Sequence, residues 1–164
     1  TMRKYFKKDN SKTQVFSLSF FIGEMMKTAL IYASMTGHTK KIVKAIEKEA
    51  GITVYDVKAN PETELKDLDV LFVAGGIYAS SCMPQLVDYV TKLDASCTKK
   101  VYLLCSSMDP NGSLKQIEDV LRDKGFSLGE KKYHCKGSFL FFGLGHPSKT
   151  EIEGSVSFVK SIIS

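Results

Sequence analysis

Short apolar runs alternate with amphipathic stretches from residue 28 to residue 164, and the alternation predicts a repeated strand–helix order. Thr28–Ala33, Ile52–Val57, Val70–Ala74 and Val101–Cys105 are nearly continuous apolar runs rich in β-branched and aromatic residues, as strands buried on both faces are. A fifth strand is expected within Tyr133–Phe142. From Thr39 onward, Ile42, Val43, Ile46 and Ala50 share one helical face, while Lys40, Lys41, Lys44, Glu47 and Lys48 share the other, and Gly51 is the stop. Pro84 opens a second helix at the position where proline is favoured, with Leu86, Val87, Val90 and Leu93 inward. Ser113 with Gln116 predicts a capping box for a third helix through Lys124, stopped by Gly125. Ser148 with Glu151 predicts another for a last helix whose inner face is Ile152, Val156, Val159 and Ile163.

The connections are too long for hairpins and the strands too apolar to face water. A parallel sheet with helices on both faces satisfies both constraints, and in such sheets ligands bind beyond the carboxyl ends of the strands. Three connections meet at that edge. Ser34–Thr39 follows the first strand, and there Ser34, Thr36 and Thr39 carry hydroxyls while Gly37 permits a tight bend into the helix. A helix N-terminus presents unpaired N–H groups and a positive dipole end, so this turn is a cradle for a phosphate group, or else simply a strand-to-helix turn rich in capping residues. It lacks the glycine–lysine spacing of a nucleoside triphosphate loop and the three-glycine spacing of a dinucleotide fingerprint. The second connection, Gly75–Met83, offers two glycines expected to close the third strand and an aromatic, Tyr78; the third, Ser106–Ser113, is polar.

Composition narrows the class. With 43% apolar and 25% charged residues in 164, the chain is long enough for one domain with a full core. The excess of 23 basic over 18 acidic residues is too small and too dispersed for a nucleic-acid binder. Residues 1–25 hold five of the basic and two of the acidic residues, a balance of +3 that leaves +2 for 26–164. Their apolar run Val15–Ile22 is far below the ~20 residues that span a bilayer, so no stable membrane insertion is expected. The first 25 residues read as an extension or leader, the alternative being an accessory strand or helix packed on a domain of residues 26–164. Cys82, Cys97, Cys105 and Cys135 form no Cys-x-x-Cys pair and no zinc spacing, and read as reduced thiols of a cytoplasmic protein.

The pattern Ser-x-Thr-Gly-x-Thr after an N-terminal strand resembles the phosphate loop of flavodoxins, and Lys27–Ser164 as a whole resembles a short-chain flavodoxin, with Gly137–Ile162 similar to the C-terminal region of small stand-alone members. The resemblance implies a flavodoxin-like three-layer α/β sandwich, its five-stranded parallel sheet in the order 2-1-3-4-5. It implies noncovalent FMN, with the phosphate at Ser34, Met35, Thr36, Gly37, His38 and Thr39. The isoalloxazine ring would lie between Gly76, Ile77, Tyr78, Ala79 and Ser80 on one side and Ser106, Ser107, Met108, Asp109 and Gly112 on the other. A backbone carbonyl between Gly76 and Ala79 would accept a hydrogen bond from the reduced N5.

Departures from the family pattern bear on function. The third connection has no aromatic, so one ring face is covered by Met108 or aliphatic atoms, or left open, and the domain lacks the usual acidity of flavodoxins. Single residues keep two readings: Tyr78 stacks on the ring or covers the sheet edge, and His38 bonds a phosphate oxygen or is a solvated turn residue. His134 reads as structural, His146 as a loop residue, Cys82 as a thiol without an activating base, and the lysines of the first helix as its wet face. With no catalytic triad, carboxylate dyad or metal cluster, any redox chemistry belongs to the flavin. The expected function is an electron carrier between a flavin or ferredoxin reductase and a redox partner protein. The alternatives are an FMN-dependent oxidoreductase acting on a quinone, porphyrinogen or tetrapyrrole, and a scaffold that has lost its ligand.

Overall fold

The computed structural model describes residues 26–137 and 145–164. The expected extension, residues 1–25, and the end of the expected fifth strand lie outside the described residues. In chain order the elements are β1 (Thr28–Ala33), α1 (His38–Ala50), β2 (Thr53–Asp56), β3 (Leu68–Tyr78), β4 (Ser81–Cys82), α2 (Pro84–Lys92), β5 (Thr98–Ser107), α3 (Lys115–Asp123), β6 (Tyr133–Lys136) and α4 (Lys149–Ile163).

β2, β1, β3, β5 and β6 lie side by side in that order and all pair in parallel. This is the expected five-stranded order, with one addition. β4 is a two-residue strand folded back antiparallel on the end of β3, so the described residues form six strands instead of five.

Each central strand feeds two cores because successive side chains point to opposite faces. Leu30, Tyr32, Val70 and Phe72 join Ile42, Val43 and Ile46 of α1 and Val156 and Val159 of α4 on one face. Ala29, Ile31, Leu71 and Val73 join Leu86 and Val90 of α2 and Ile117 and Leu121 of α3 on the other. Leu30, Ile31, Leu71, Phe72 and Val73 are completely buried, which is why these strands read as unbroken apolar runs.

Three local expectations are corrected. Gly75 and Gly76 do not close the third strand: β3 runs on to Tyr78, paired through Gly76 with Ser106 of β5. What Gly75 provides is close packing, since a Cβ there would sit 3.0 Å from both Leu86 and Leu114. β5 likewise continues through Ser106 and Ser107, so these two serines are buried strand residues instead of loop residues. The Ser113–Gln116 capping box does not form: α3 starts one residue later, with Leu114 at its N-cap and no side-chain cap, because Leu114 is drawn into the core. The box at Ser148 and Glu151 does form, and it starts α4.

Candidate functional site

The three connections meet at the carboxyl edge of the sheet. In the first, Gly37 has φ 83°, a left-handed conformation that glycine adopts without strain, and its N–H donates to Ser34 Oγ at 3.0 Å. The turn thereby closes on itself and delivers the chain into α1, whose first intrahelical bond runs from Lys41 N–H to Gly37 C=O at 3.0 Å. The amides of Thr39 and Lys40 come before that bond, within the first turn, where N–H groups have no intrahelical acceptor. Thr39 itself is only 2% exposed, and its buried Oγ1 has no hydrogen-bond partner. Buried hydroxyls are normally satisfied, so an orphan beneath an amide-rich turn is an unusual feature.

Thr36 and His38 are joined by a bond of 2.6 Å between Oγ1 and Nδ1, and the Tyr78 hydroxyl lies 3.5 Å from the same Thr36 oxygen. His38 is half-buried instead of solvated. Burial, followed by the charge of Lys41, lowers its pKa below the ordinary histidine value, which keeps the imidazole neutral at pH 7. Met35 stands outside this knot, 56% exposed at the rim.

The second connection is a tight hairpin. Ile77 pairs with Cys82 and Tyr78 with Ser81, leaving Ala79 and Ser80 as its two tip residues, with φ of 47° and 66°. Two successive positive φ angles are those of a type I′ turn, whose twist matches the flanking strands but which glycine and asparagine prefer. Alanine and serine hold this conformation at a cost of about 1 kcal/mol or more each. Sequence alone predicted a loop here, for want of an Asn-Gly signal.

The third connection is folded by hydrogen bonds within itself. Ser107 Oγ accepts the Asp109 N–H at 3.1 Å, the Asp109 carboxylate accepts the Asn111 N–H at 2.9 Å, and the Asp109 carbonyl accepts the Gly112 N–H at 2.9 Å. Gly112 is needed because a Cβ there would fall 2.1 Å from Ser107 Oγ.

Between the second and third connections lies a cleft of about 320 Å³ lined by Ile77, Tyr78, Ala79, Ser80, Ser107, Met108, Asp109, Gly112 and Ser113. A small crevice lined by His38, Ile77, Tyr78, Ser106, Ser107, Met108 and Gly137 lies beside it, so Tyr78 borders both. Of the residues expected at the ring, all but Gly76 line one of these two spaces, and His38 of the first turn lines the crevice as well. Ser113 and Gly137 also line them and were not anticipated. Gly137 follows β6 and reaches the site only through the parallel pairing of β6 with β5, a relation no local motif reveals.

The remaining candidates stay outside. His134 is exposed on the edge strand instead of packed. His146 is a loop residue as expected, and its Nδ1 lies 2.7 Å from Glu151 Oε2. All four cysteines are free and buried. Burial pushes the Cys82 and Cys135 thiols up to about 11 and Cys105 to about 12, the opposite of what a reactive thiol needs. Among the described residues no helix is long and apolar enough to cross a membrane, and no group of acidic, histidine or cysteine side chains could hold a metal ion.

Comparison with known proteins agrees with this geometry. The fold is similar to that of a short-chain flavodoxin associated with a non-canonical PDU bacterial microcompartment: TM-score 0.58 and 16% identity, over 85% of this chain and 97% of that one. It is also similar to oxidised flavodoxin 2 from Bacillus cereus, with TM-score 0.58 and 16% identity over 82% and 96% of the two chains. Rubredoxin oxygen:oxidoreductase from Desulfovibrio gigas has the same fold over 40% of its length, covering 93% of this chain at 16% identity and TM-score 0.59. No curated protein sequence matches this one. At such identities these likenesses speak for the fold alone, but the sequence profile described as a flavodoxin domain matches residues 29–137, from β1 to the glycine at the crevice. That match covers most of the chain and all three connections of the site, and the protein therefore belongs to the flavodoxin domain family.

Proposed function

We propose that this protein binds FMN noncovalently at the carboxyl edge of its sheet and works as an electron carrier, receiving electrons from a flavin or ferredoxin reductase and passing them to a redox partner protein. The observation that carries the reading is the buried, unpartnered hydroxyl of Thr39 at the start of α1. A terminal phosphate is an acceptor that suits it together with the amides of Thr39 and Lys40 and the positive end of α1. Ser34 and Gly37 shape the turn; Thr36 and the neutral His38 stand beside it as further donors.

Bound FMN supplies electron transfer in one- and two-electron steps; the protein's part is to hold, orient and shield it. The cleft of about 320 Å³ has room for a planar ring, and the Tyr78 phenol and the Met108 thioether in its lining are groups that could cover one. Ile77, Tyr78, Ala79 and Ser80 of the hairpin line this cleft, and a backbone carbonyl between Gly76 and Ala79 would accept a hydrogen bond from N5 of the reduced ring. The free cysteines suit a reducing, cytoplasmic setting.

An FMN-dependent oxidoreductase acting on a quinone, porphyrinogen or tetrapyrrole is the second reading, favoured by Met108, 41% exposed where an aromatic would close the ring face. Purification with FMN followed by an ultraviolet-visible spectrum and photoreduction tests both. A bound yellow chromophore with a long-lived one-electron-reduced spectrum and no turnover supports the carrier. Steady NAD(P)H oxidation with a quinone supports the enzyme. No FMN binding at micromolar concentration ends both readings.

A further inference from the structure

A capping box requires its glutamate only to accept the N-cap amide, yet Glu151 does more. Its Oε2 accepts the Ser148 N–H at 2.6 Å and lies 2.7 Å from His146 Nδ1, while its Oε1 accepts the backbone N–H of Lys136 at 3.0 Å. Its own carbonyl accepts the Tyr133 hydroxyl at 2.5 Å. The start of α4 is thus tied to both ends of β6.

β6 is a four-residue edge strand that pairs, among the described strands, with β5 alone. An edge strand leaves its outward amides without strand partners. Glu151 provides the acceptor for Lys136. The next residue, Gly137, donates its N–H to the Ser107 carbonyl at 2.9 Å and lines the crevice beside Tyr78. A Cβ at Gly137 would lie 2.9 Å from Ser106 Oγ, so the two chains already meet at close contact there. Ser107 in turn carries the Asp109 amide on its hydroxyl and leaves no room for a side chain at Gly112. A displacement of the end of β6 therefore passes through Ser107 to the connection that walls the cleft.

We propose that Glu151, oriented by His146, is a positioning residue for the flavin site: it fixes the end of β6 and, through Gly137 and Ser107, the far wall of the ring cleft. The inference rests on the FMN reading above. Although burial works the other way, the hydrogen bonds from His146, Ser148 and Lys136 hold the Glu151 carboxyl at about 2, so it is an anion at physiological pH.

Glu151→Gln is the direct test. Its amide has one acceptor oxygen for three donors and presents an NH2 to the others. In protein without added FMN, hydrogen exchange at the Lys136 and Gly137 amides is expected to accelerate at least about tenfold, with the β2 amides unchanged. In a titration followed by flavin fluorescence, the FMN dissociation constant is expected to rise about tenfold. His146→Ala should move both readouts in the same direction by less, and it carries the test if Glu151→Gln does not fold.

Tyr89→Phe is the control for a merely structural role. It removes the 2.6 Å bond from Tyr89 to the Thr63 carbonyl, away from the site, and should leave FMN affinity unchanged. Unchanged exchange at Gly137, FMN affinity within twofold of wild type in both site variants, or an equal loss in Tyr89→Phe would each overturn the proposal. Wild-type protein that takes up no FMN sinks the functional reading, and the exchange at Gly137 then decides separately whether Glu151 sets the end of β6.

Discussion

The Tyr78 ring lies against Gly76 so closely that a Cβ on Gly76 would fall 2.7 Å from the phenol oxygen and 2.8 Å from ring carbon Cε2. Glycine at 76 thus lets the phenol fold inward, where it reaches Thr36 of the first connection and borders both the cleft and the crevice. Gly76→Ala is expected to turn the ring away. Because the ring is the far end of a half-exposed side chain, stability should change by no more than about 1 kcal/mol. FMN should bind about tenfold more weakly, the scale of one lost aromatic contact, about 1.4 kcal/mol. Fluorescence titration measures this, and an unchanged dissociation constant would leave Tyr78 as a cover for the sheet edge.

Thr39→Val separates stability from binding. The variant keeps the β-branched shape but removes the buried hydroxyl that lacks a partner. Without FMN it should be more stable by about 1 kcal/mol, since an unsatisfied buried polar group costs roughly that much or more. With FMN it should bind at least about tenfold more weakly. Urea unfolding without ligand and calorimetric titration with FMN read the two effects, and opposite signs are the signature of a hydroxyl held for a ligand. A loss of both would mark Thr39 as structural.

Gly37→Asp is expected to abolish FMN binding by placing an anion in the phosphate turn. A Cβ at Gly37 meets nothing within 4 Å, so the variant is not excluded by crowding, although φ of 83° makes any side chain strained by about 1 kcal/mol. Gly37→Asn carries the same strain without the charge. It should retain measurable affinity where aspartate has none, and equal affinities in the two would argue against a phosphate at this turn.

The fold was legible wherever burial decided it, and the site wherever a turn carried its own chemistry. Leu30, Ile31, Leu71, Phe72 and Val73 sit between two helical layers, so their uninterrupted apolar runs could only be central strands. The Ser148–Glu151 box formed because the residues between its partners, Lys149 and Thr150, are exposed, so no burial shifts the helix start. Ser113–Gln116 has the same spacing, but burial of Leu114 moved the helix start past it, a tertiary effect that spacing does not record. Gly75 and Gly76 looked like punctuation. They are instead positions where side chains of Leu86, Leu114 and Tyr78 close on the strand, which sequence cannot distinguish from a turn. Ala79 and Ser80 hide a type I′ turn because neither residue advertises positive φ. Gly137 came from outside the three connections, carried in by strand register alone.

Glu151 makes acid stability a direct readout of the α4–β6 connection. Its carboxyl is held at about 2 against an ordinary 4.5, with burial opposing and the bonds from His146, Ser148 and Lys136 prevailing. A carboxyl whose folded pKa is depressed contributes stability that is fully present above the unfolded value and lost as pH falls through the folded one. The window is therefore from about pH 5 down to about pH 2. The side chain is 20% exposed, so solvent screening only partly weakens these bonds, and the shift corresponds to about 3 kcal/mol at most. About 2 kcal/mol of that should already be gone at pH 3. Urea unfolding of wild type and Glu151→Gln at pH 7, 5 and 3 should give stabilities that lie apart at pH 7 and 5 and draw together by about 2 kcal/mol at pH 3, because the glutamine has no proton to take up. Curves that stay parallel down to pH 3 would mean that the carboxylate is not what ties α4 to β6.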